Sequence, residues 1–173
     1  MKQTFSPWRA LVLALVLVTC VGCDQATKQY AVANLKGAPP QSYWGDTFRI
    51  QYAENRGAFL SLGADWAPMQ RFLLFTVVNG FVLPALALFV LFRRDIDRLS
   101  LMALALILAG GVGNLIDRVT TDEAVVIDFL NMGIGGLRTG VFNVADMAIT
   151  AGFLLLLPHV LRKEPTPALT AEG

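Results

Sequence analysis

One histidine, His159, and two cysteines, Cys20 and Cys23, are the only imidazole and thiol groups in this chain. The cysteines form a C-x-x-C inside an apolar stretch, with no histidine or βαβ pattern beside them. Zinc-site and thioredoxin-like chemistry therefore lack both ligands and setting. His159 stands at the far end of an apolar run beside Arg162 and Lys163, a place that suits the membrane interface. No metal and no other cofactor is expected. Charge is scarce as well. Only 16% of residues are Asp, Glu, Lys or Arg, against about a quarter in an ordinary soluble domain. With 14 basic and 13 acidic residues, nothing points to a nucleic-acid partner. No linker and no internal repeat divides the chain, so one integral membrane domain over residues 1–173 is expected.

Long apolar runs account for the missing charge: 55% of residues are hydrophobic and the mean hydropathy is +0.56. Four membrane spans are predicted, over roughly residues 9–30, 70–92, 99–116 and 144–161. Phe72 to Phe92 carries no charge and is long enough to cross about 30 Å of hydrocarbon. Asn79 and Pro84 interrupt it, which neighbouring helices can accommodate. Gly110 and Gly113 in the third span allow helices to approach closely. The start of the chain, basic at Lys2 and Arg9 and then apolar up to LVTC, has the form of a lipoprotein signal peptide. The helical pattern runs on through Cys23 and DQATKQYAVANL, so helix one is expected to be retained.

Between the first two spans the chain leaves the bilayer, from Lys36 to Trp66, with Pro39 and Pro40 ending the helix. Phe48, Ile50 and Tyr52 alternate with Arg49 and Gln51, which predicts a strand over Thr47–Ala53. Tyr43, Trp44, Phe59 and Trp66 suit the lipid–water interface. Lys2, Arg9, Arg93, Arg94, Arg98, Arg162 and Lys163 crowd three short segments on one side. Basic residues in short loops favour the cytoplasm, so both termini are predicted inside, with Lys36–Trp66 and Asp117–Phe142 outside. Asp24, Asn55, Asp117, Asp128 and Asp146 then converge on the outer face, without any motif being invoked.

The stretch Val125–Asp146 has an aspartate near one end, Asp128, and another at the other, Asp146. Gly133, Gly135, Gly136 and Gly140 lie between them and let the chain turn back. Asp146 opens an apolar run, and a carboxylate at the mouth of a membrane helix is costly unless it has a use. Two carboxylates held together share a proton and can activate a water. Asn143 and Asp146 also have the spacing of a capping box. Asp24 and Lys28, at i and i+4, meet on one helix face. They either stabilise the end of helix one or orient neighbours near a site. Asp117 and Arg118 are adjacent, so they point apart towards different partners.

Five motifs occur in order: Asp24-Gln25-x-Thr27-Lys28, Asn55-x-Gly57-Ala58-Phe59, Gly110-Gly111-x-Gly113-Asn114-x-x-Asp117-Arg118, Val126-x-Asp128-Phe129 and Phe142-Asn143-x-Ala145-Asp146. Together they resemble the lipoprotein signal peptidases (signal peptidase II), bacterial membrane aspartyl endopeptidases. The resemblance covers residues 24–146. It implies an all-α membrane fold of four transmembrane helices with a small extracytoplasmic β-cradle, in the bacterial cytoplasmic (inner) membrane. It implies a diacylglyceryl-modified prolipoprotein as substrate, cleaved just before the lipidated cysteine. It makes Asp128 and Asp146 the catalytic pair. Asn55, Gly57, Asn114, Arg118 and Asn143 become residues lining the site, and Asp24, Lys28 and Asp117 its supports.

In physical terms, one carboxylate of such a pair must be ionised to take a proton from water while the other, protonated, polarises the scissile carbonyl. A monomer working among membrane lipids is expected. Two other readings compete. A small carrier or proton-pathway protein would spread its polar residues through the bilayer depth, whereas here they gather at one face. A structural membrane protein would use the same carboxylates only as caps and ion-pair partners.

Overall fold

The computed structural model describes residues 6–58, 61–93 and 95–161. Expectations resting on Lys2, Phe59, Arg94, Arg162, Lys163 and the side chain of His159 fall outside what is described. Helix α1, Pro7–Leu35, is 29 residues long, or about 44 Å. That exceeds the hydrocarbon thickness of about 30 Å, so the helix is longer than a span requires. It runs beyond the expected end near residue 30 because its last turns have something to pack against. Ala31 and Leu35 are buried with Val125, Ile127 and Phe129.

The second span is one continuous helix, Pro68–Phe92. It is built from α2 (Pro68–Arg71), a π-helical stretch at Phe72–Val78 and α3 (Asn79–Phe92). Its start at Pro68 follows from proline's fitness for the first helical turn. The wide π turn lies beside the site, a frequent association for such turns. Helix α4, Arg98–Thr120, begins at Asp97, whose carboxylate accepts the backbone N–H of Leu99 and Ser100. Helix α5, Val144–Leu161, is the shortest of the four. Leu13, Leu83, Val90, Leu101, Ala105 and Leu108 make the core between the spans. Large apolar side chains such as Val18, Phe81 and Leu88 point outwards, as a lipid surround permits.

Glycine sets the tightest contact. A Cβ at Gly110 of α4 would run into the carbonyl of Ala145 in α5, and one at Gly152 of α5 would come within 2.6 Å of the Ala103 oxygen. A Cβ at Gly113 would meet Asp24 Oδ2 at 2.7 Å. The expected role of Gly110 and Gly113 in close approach is thus borne out, with Gly152 added to it.

Outside the spans stands a four-stranded antiparallel sheet in the order β1-β2-β3-β4. Its strands are β1 (Gln41–Tyr43), β2 (Phe48–Asn55), β3 (Val126–Ile134) and β4 (Leu137–Arg138). The register pairs Phe48 with Met132, Ala53 with Asp128 and Asn55 with Val126, and shifts between Ile50 and Ala53. The strand expected at Thr47–Ala53 is β2. From its own pattern, the Val125–Asp146 stretch reads only as a glycine-rich turn-back. Its first part is instead the central strand β3, whose first four residues are all buried. A strand covered on both faces reads as an unbroken apolar run, without alternation to reveal it.

Candidate active site

The site is assembled where α1, α4, β3 and α5 meet. On α1 the face Asp24–Lys28–Ala31–Leu35 is buried, with Asp24 1% and Lys28 2% exposed. Lys28 Nζ lies 2.8 Å from Asp24 Oδ2 and 2.9 Å from Asp117 Oδ2, and donates to Asn114 Oδ1 at 2.9 Å. Its three N–H groups are all used. The two anions are themselves satisfied. Asp24 Oδ1 accepts the Ala145 N–H at 2.8 Å. Asp117 accepts the Ile127 N–H at 3.0 Å and Gln25 Nε2 at 2.8 Å. The pair is buried and ties α1 to α4 and α5.

This knot orients the amide of Asn114. An ammonium has no acceptor, so the atom facing Lys28 must be the amide oxygen, and Nδ2 is turned to donate to Asp146 Oδ1 at 2.9 Å. Asn143, completely buried, serves both aspartates. Its Nδ2 donates to Asp128 Oδ1 at 2.6 Å and to Asn114 Oδ1 at 3.1 Å. Its backbone N–H donates to Asp146 Oδ2 at 3.3 Å, and its Oδ1 accepts the Asp146 N–H at 2.9 Å. The last two bonds are the reciprocal capping box expected from the spacing. The cap and the site are therefore made of the same atoms.

Asp128, 1% exposed, takes its second bond from Asn55 Nδ2 at 3.1 Å. Asn55 ends β2, and its Oδ1 accepts the Gly57 N–H at 2.9 Å. A Cβ at Gly57 would come within 2.5 Å of the Leu62 oxygen, so this tight turn admits only glycine. Arg118 Nη2 donates to the Gly57 oxygen at 2.6 Å, and its guanidinium lies over the Phe75 ring at 5.6 Å. Asp117 and Arg118 do point apart, as expected. Burial, followed by the charge of Asp146, pushes the Asp128 carboxyl up to about 7, against the pull of the amides of Asn55 and Asn143. No cation touches either aspartate among the described residues.

All ten residues singled out in the sequence (Asp24, Lys28, Asn55, Gly57, Asn114, Asp117, Arg118, Asp128, Asn143 and Asp146) lie in this one network. Two contributors carry no sequence signal of their own: the backbone N–H of Ile127, and Phe75 beneath Arg118. Gln25 sits inside a motif, but only the fold shows what it holds. Two cavities flank Asp146. The larger, about 720 Å³, is lined by Asn55, Phe75, Asn114, Arg118, Ile149 and Leu157 among others. The smaller, about 600 Å³, lies between residues 138–142 and α5.

Asp128, buried, and Asp146, half-buried, are bridged by Asn143 at the mouth of a four-helix membrane fold, an arrangement of the class of aspartyl peptidases set into a bilayer. The chain belongs to the signal peptidase II family: the family model described as Signal peptidase (SPase) II matches residues 16–162. A lipoprotein signal peptidase of Geobacter sulfurreducens is 37% identical, over 95% of this chain and 97% of the relative. One of Streptococcus pneumoniae is 33% identical, over 90% of this chain and 95% of the relative. Two solved structures, each described as a bacterial membrane enzyme determined by the in meso method, are 27% identical with TM-scores of 0.68 and 0.71. They cover 95% and 94% of this chain, and 97% and 98% of their own.

Proposed function

We propose that this chain removes the signal peptide from diacylglyceryl-modified prolipoproteins by cutting just before the lipidated cysteine, with Asp128 and Asp146 as the catalytic pair. The observation that carries the assignment is the double engagement of Asn143, which binds one oxygen of each aspartate and so holds the two against one space. Asp128, with its carboxyl near 7, carries the shared proton at neutral pH, and Asp146 is the carboxylate. Asp146 takes a proton from water, whose oxygen attacks the scissile carbonyl carbon. Asp128 passes its proton to the carbonyl oxygen. Collapse of the diol restores the C=O and breaks the C–N bond. The departing nitrogen takes the proton held on Asp146, and a diol hydroxyl returns one to Asp128.

Around this centre, Asn55, Gly57, Asn114, Arg118 and Asn143 line the site, and Asp24, Lys28 and Asp117 support it. The enzyme is one domain and acts as a monomer among membrane lipids. Its termini are cytoplasmic and its site faces outwards. α1 is retained, because its first half, ahead of Cys20, supplies Leu13 to the core between the spans.

Purified protein in detergent is expected to cleave a lipidated precursor and not its unlipidated counterpart. As a cap alone, Asp146→Asn would cost about 1 kcal/mol of stability. As half of an acid–base pair, it costs roughly a hundredfold to ten-thousandfold in rate. Asp128→Asn behaves likewise, and the double variant is little worse than either single one. Substantial cleavage by Asp146→Asn, with normal folding, would sink the assignment.

A further inference from the structure

Both hairpin turns of the sheet lie at one end. Phe48, at the start of β2, pairs with Met132, and the Gly133 N–H donates to the Thr47 oxygen at 2.9 Å. The β1–β2 turn (residues 44–47) and the β3–β4 turn at Gly135 and Gly136 are therefore side by side. They are remote from the Asn55–Val126 pair and from Asp128, at the other end of the same strands. What the turns present is apolar. Trp44 is 81% exposed, Ile134 80% and Leu137 85%, with Tyr43 and Met132 exposed behind them. A contiguous exposed apolar patch marks a place of interaction.

The patch is also held in shape. Trp44 (φ 52°), Gly45 (φ 62°) and Asp46 (φ 70°) are all left-handed, a conformation that a side chain as bulky as tryptophan's disfavours. The Asp46 carboxylate fixes the turn by accepting Ser42 Oγ and Arg49 Nε, both at 2.6 Å. The Asp46 backbone oxygen accepts Arg138 Nη1 at 2.6 Å, which joins the two hairpins. Arg49 and Arg138 thus set two positive charges against one negative just behind the apolar tips. Apolar and aromatic groups first and cations next is the order of a membrane interface.

The position of the tips says what covers them. Arg138 and Thr139, next to Leu137 in the chain, line the smaller cavity, whose wall on α5 runs from Asp146 to Leu154. That wall descends about 12 Å along the span, so this end of the sheet stands beside the outer half of α5, where lipid begins. We propose that the two hairpin tips, Trp44 on one and Ile134 and Leu137 on the other, are seated in the leaflet on the sheet's side of the bilayer, as an anchor separate from the four spans. The Arg49–Asp46–Arg138 group then lies at the level of the lipid phosphates. Strand β3 runs from this anchor to the site, and the anchor sets the height at which Asp128 stands over the bilayer. The proposal rests on the membrane fold and the sheet, and not on the peptidase reading.

The test uses the full chain with Cys20→Ala and Cys23→Ala, in vesicles of phosphatidylethanolamine and phosphatidylglycerol. A nitroxide is attached at Leu137→Cys, at Ile134→Cys or, on the other hairpin, at Trp44→Cys. Its depth is read from collisions with oxygen, which concentrates in lipid, against collisions with a water-soluble nickel chelate. Phe81→Cys, exposed on the second span, is the lipid reference, and Asp122→Cys, exposed between α4 and β3, is the water reference. All three tip labels are expected about 5–10 Å below the phosphates, the depth of an element seated in the interface. Should one label prevent a cooperative melt, the other two carry the reading. A collision pattern like that of Asp122→Cys would put the tips in water and overturn the proposal. Shielding from both reagents would overturn it too, with spin–spin broadening identifying a second copy of the chain as the cover.

Discussion

Asp24 and Asp128 are equally buried aspartates held in opposite ways. Asp24 pairs directly with the ammonium of Lys28, whereas Asp128 is hydrogen-bonded by amide donors and feels the charge of Asp146 more than the more distant charge of Lys28. The consequence is a pH dependence with a definite sign. Folded Asp128 keeps its proton up to about 7, while the unfolded chain releases it near 4. Stability from this group is therefore greatest below about pH 4 and falls as the pH rises towards 7, by at most about 4 kcal/mol. Asp128→Asn removes that cost together with the activity. Its melting temperature should exceed the wild type's by a margin that grows between pH 5 and pH 8, and wild-type cleavage should decline above about pH 7. A margin that stays flat across pH would show that Asp128 is not protonated in the fold. Residue type and spacing made the aspartates and the cap at Asn143 visible. Their protonation was not visible, because it depends on what surrounds each carboxyl.

Helix α5 is short, and its outer end is placed by contact with α4 more than by its own length. The contact is at Gly110, where any side chain would meet the Ala145 carbonyl and the Ile149 side chain. Gly110→Leu should push α5 away, lowering the melting temperature through overpacking worth about 1–3 kcal/mol and reducing cleavage by displacing Asp146. Gly80→Leu, where a Cβ has nothing within 4 Å, is the control and should change neither. If the two variants behaved alike, the glycine contact would not be what positions the site. The sequence pointed to this contact through small residues within an apolar run. It did not reveal β3 by pattern, since Val126, Ile127, Asp128 and Phe129 are buried on both faces and the polar alternation of an exposed strand is missing. β2, whose polar residues alternate, was legible for the same reason in reverse.

At the scale of the whole molecule, the proposed orientation puts the sheet and both aspartates on the outer side. It can be tested in a background with Cys20 and Cys23 replaced by alanine. A membrane-impermeant thiol reagent should label Gln41→Cys in intact cells and should reach Asp95→Cys only after the membrane is opened. The wild-type protein, with Cys20 in place, should keep the mass of the full chain, as retention of α1 requires. The opposite labelling pattern would reverse the orientation. The membrane class and the helices were set by the sequence itself, because lipid imposes long uncharged runs that no packing partner is needed to recognise. Asp24, Asp117 and Asp146 stood out at the ends of such runs, and Asn55 and Asp128 followed from the expected topology, whereas site roles for Gly57, Asn114, Arg118 and Asn143 came with the family resemblance. Only the tertiary structure decided how they act. Asn143 reaching two aspartates, Lys28 turning the Asn114 amide, Gln25 and Ile127 satisfying Asp117, and the two cavities divided by α5 all join residues far apart in the chain. Hydrogen-bond geometry and burial arise only when those segments meet, and no local pattern encodes them.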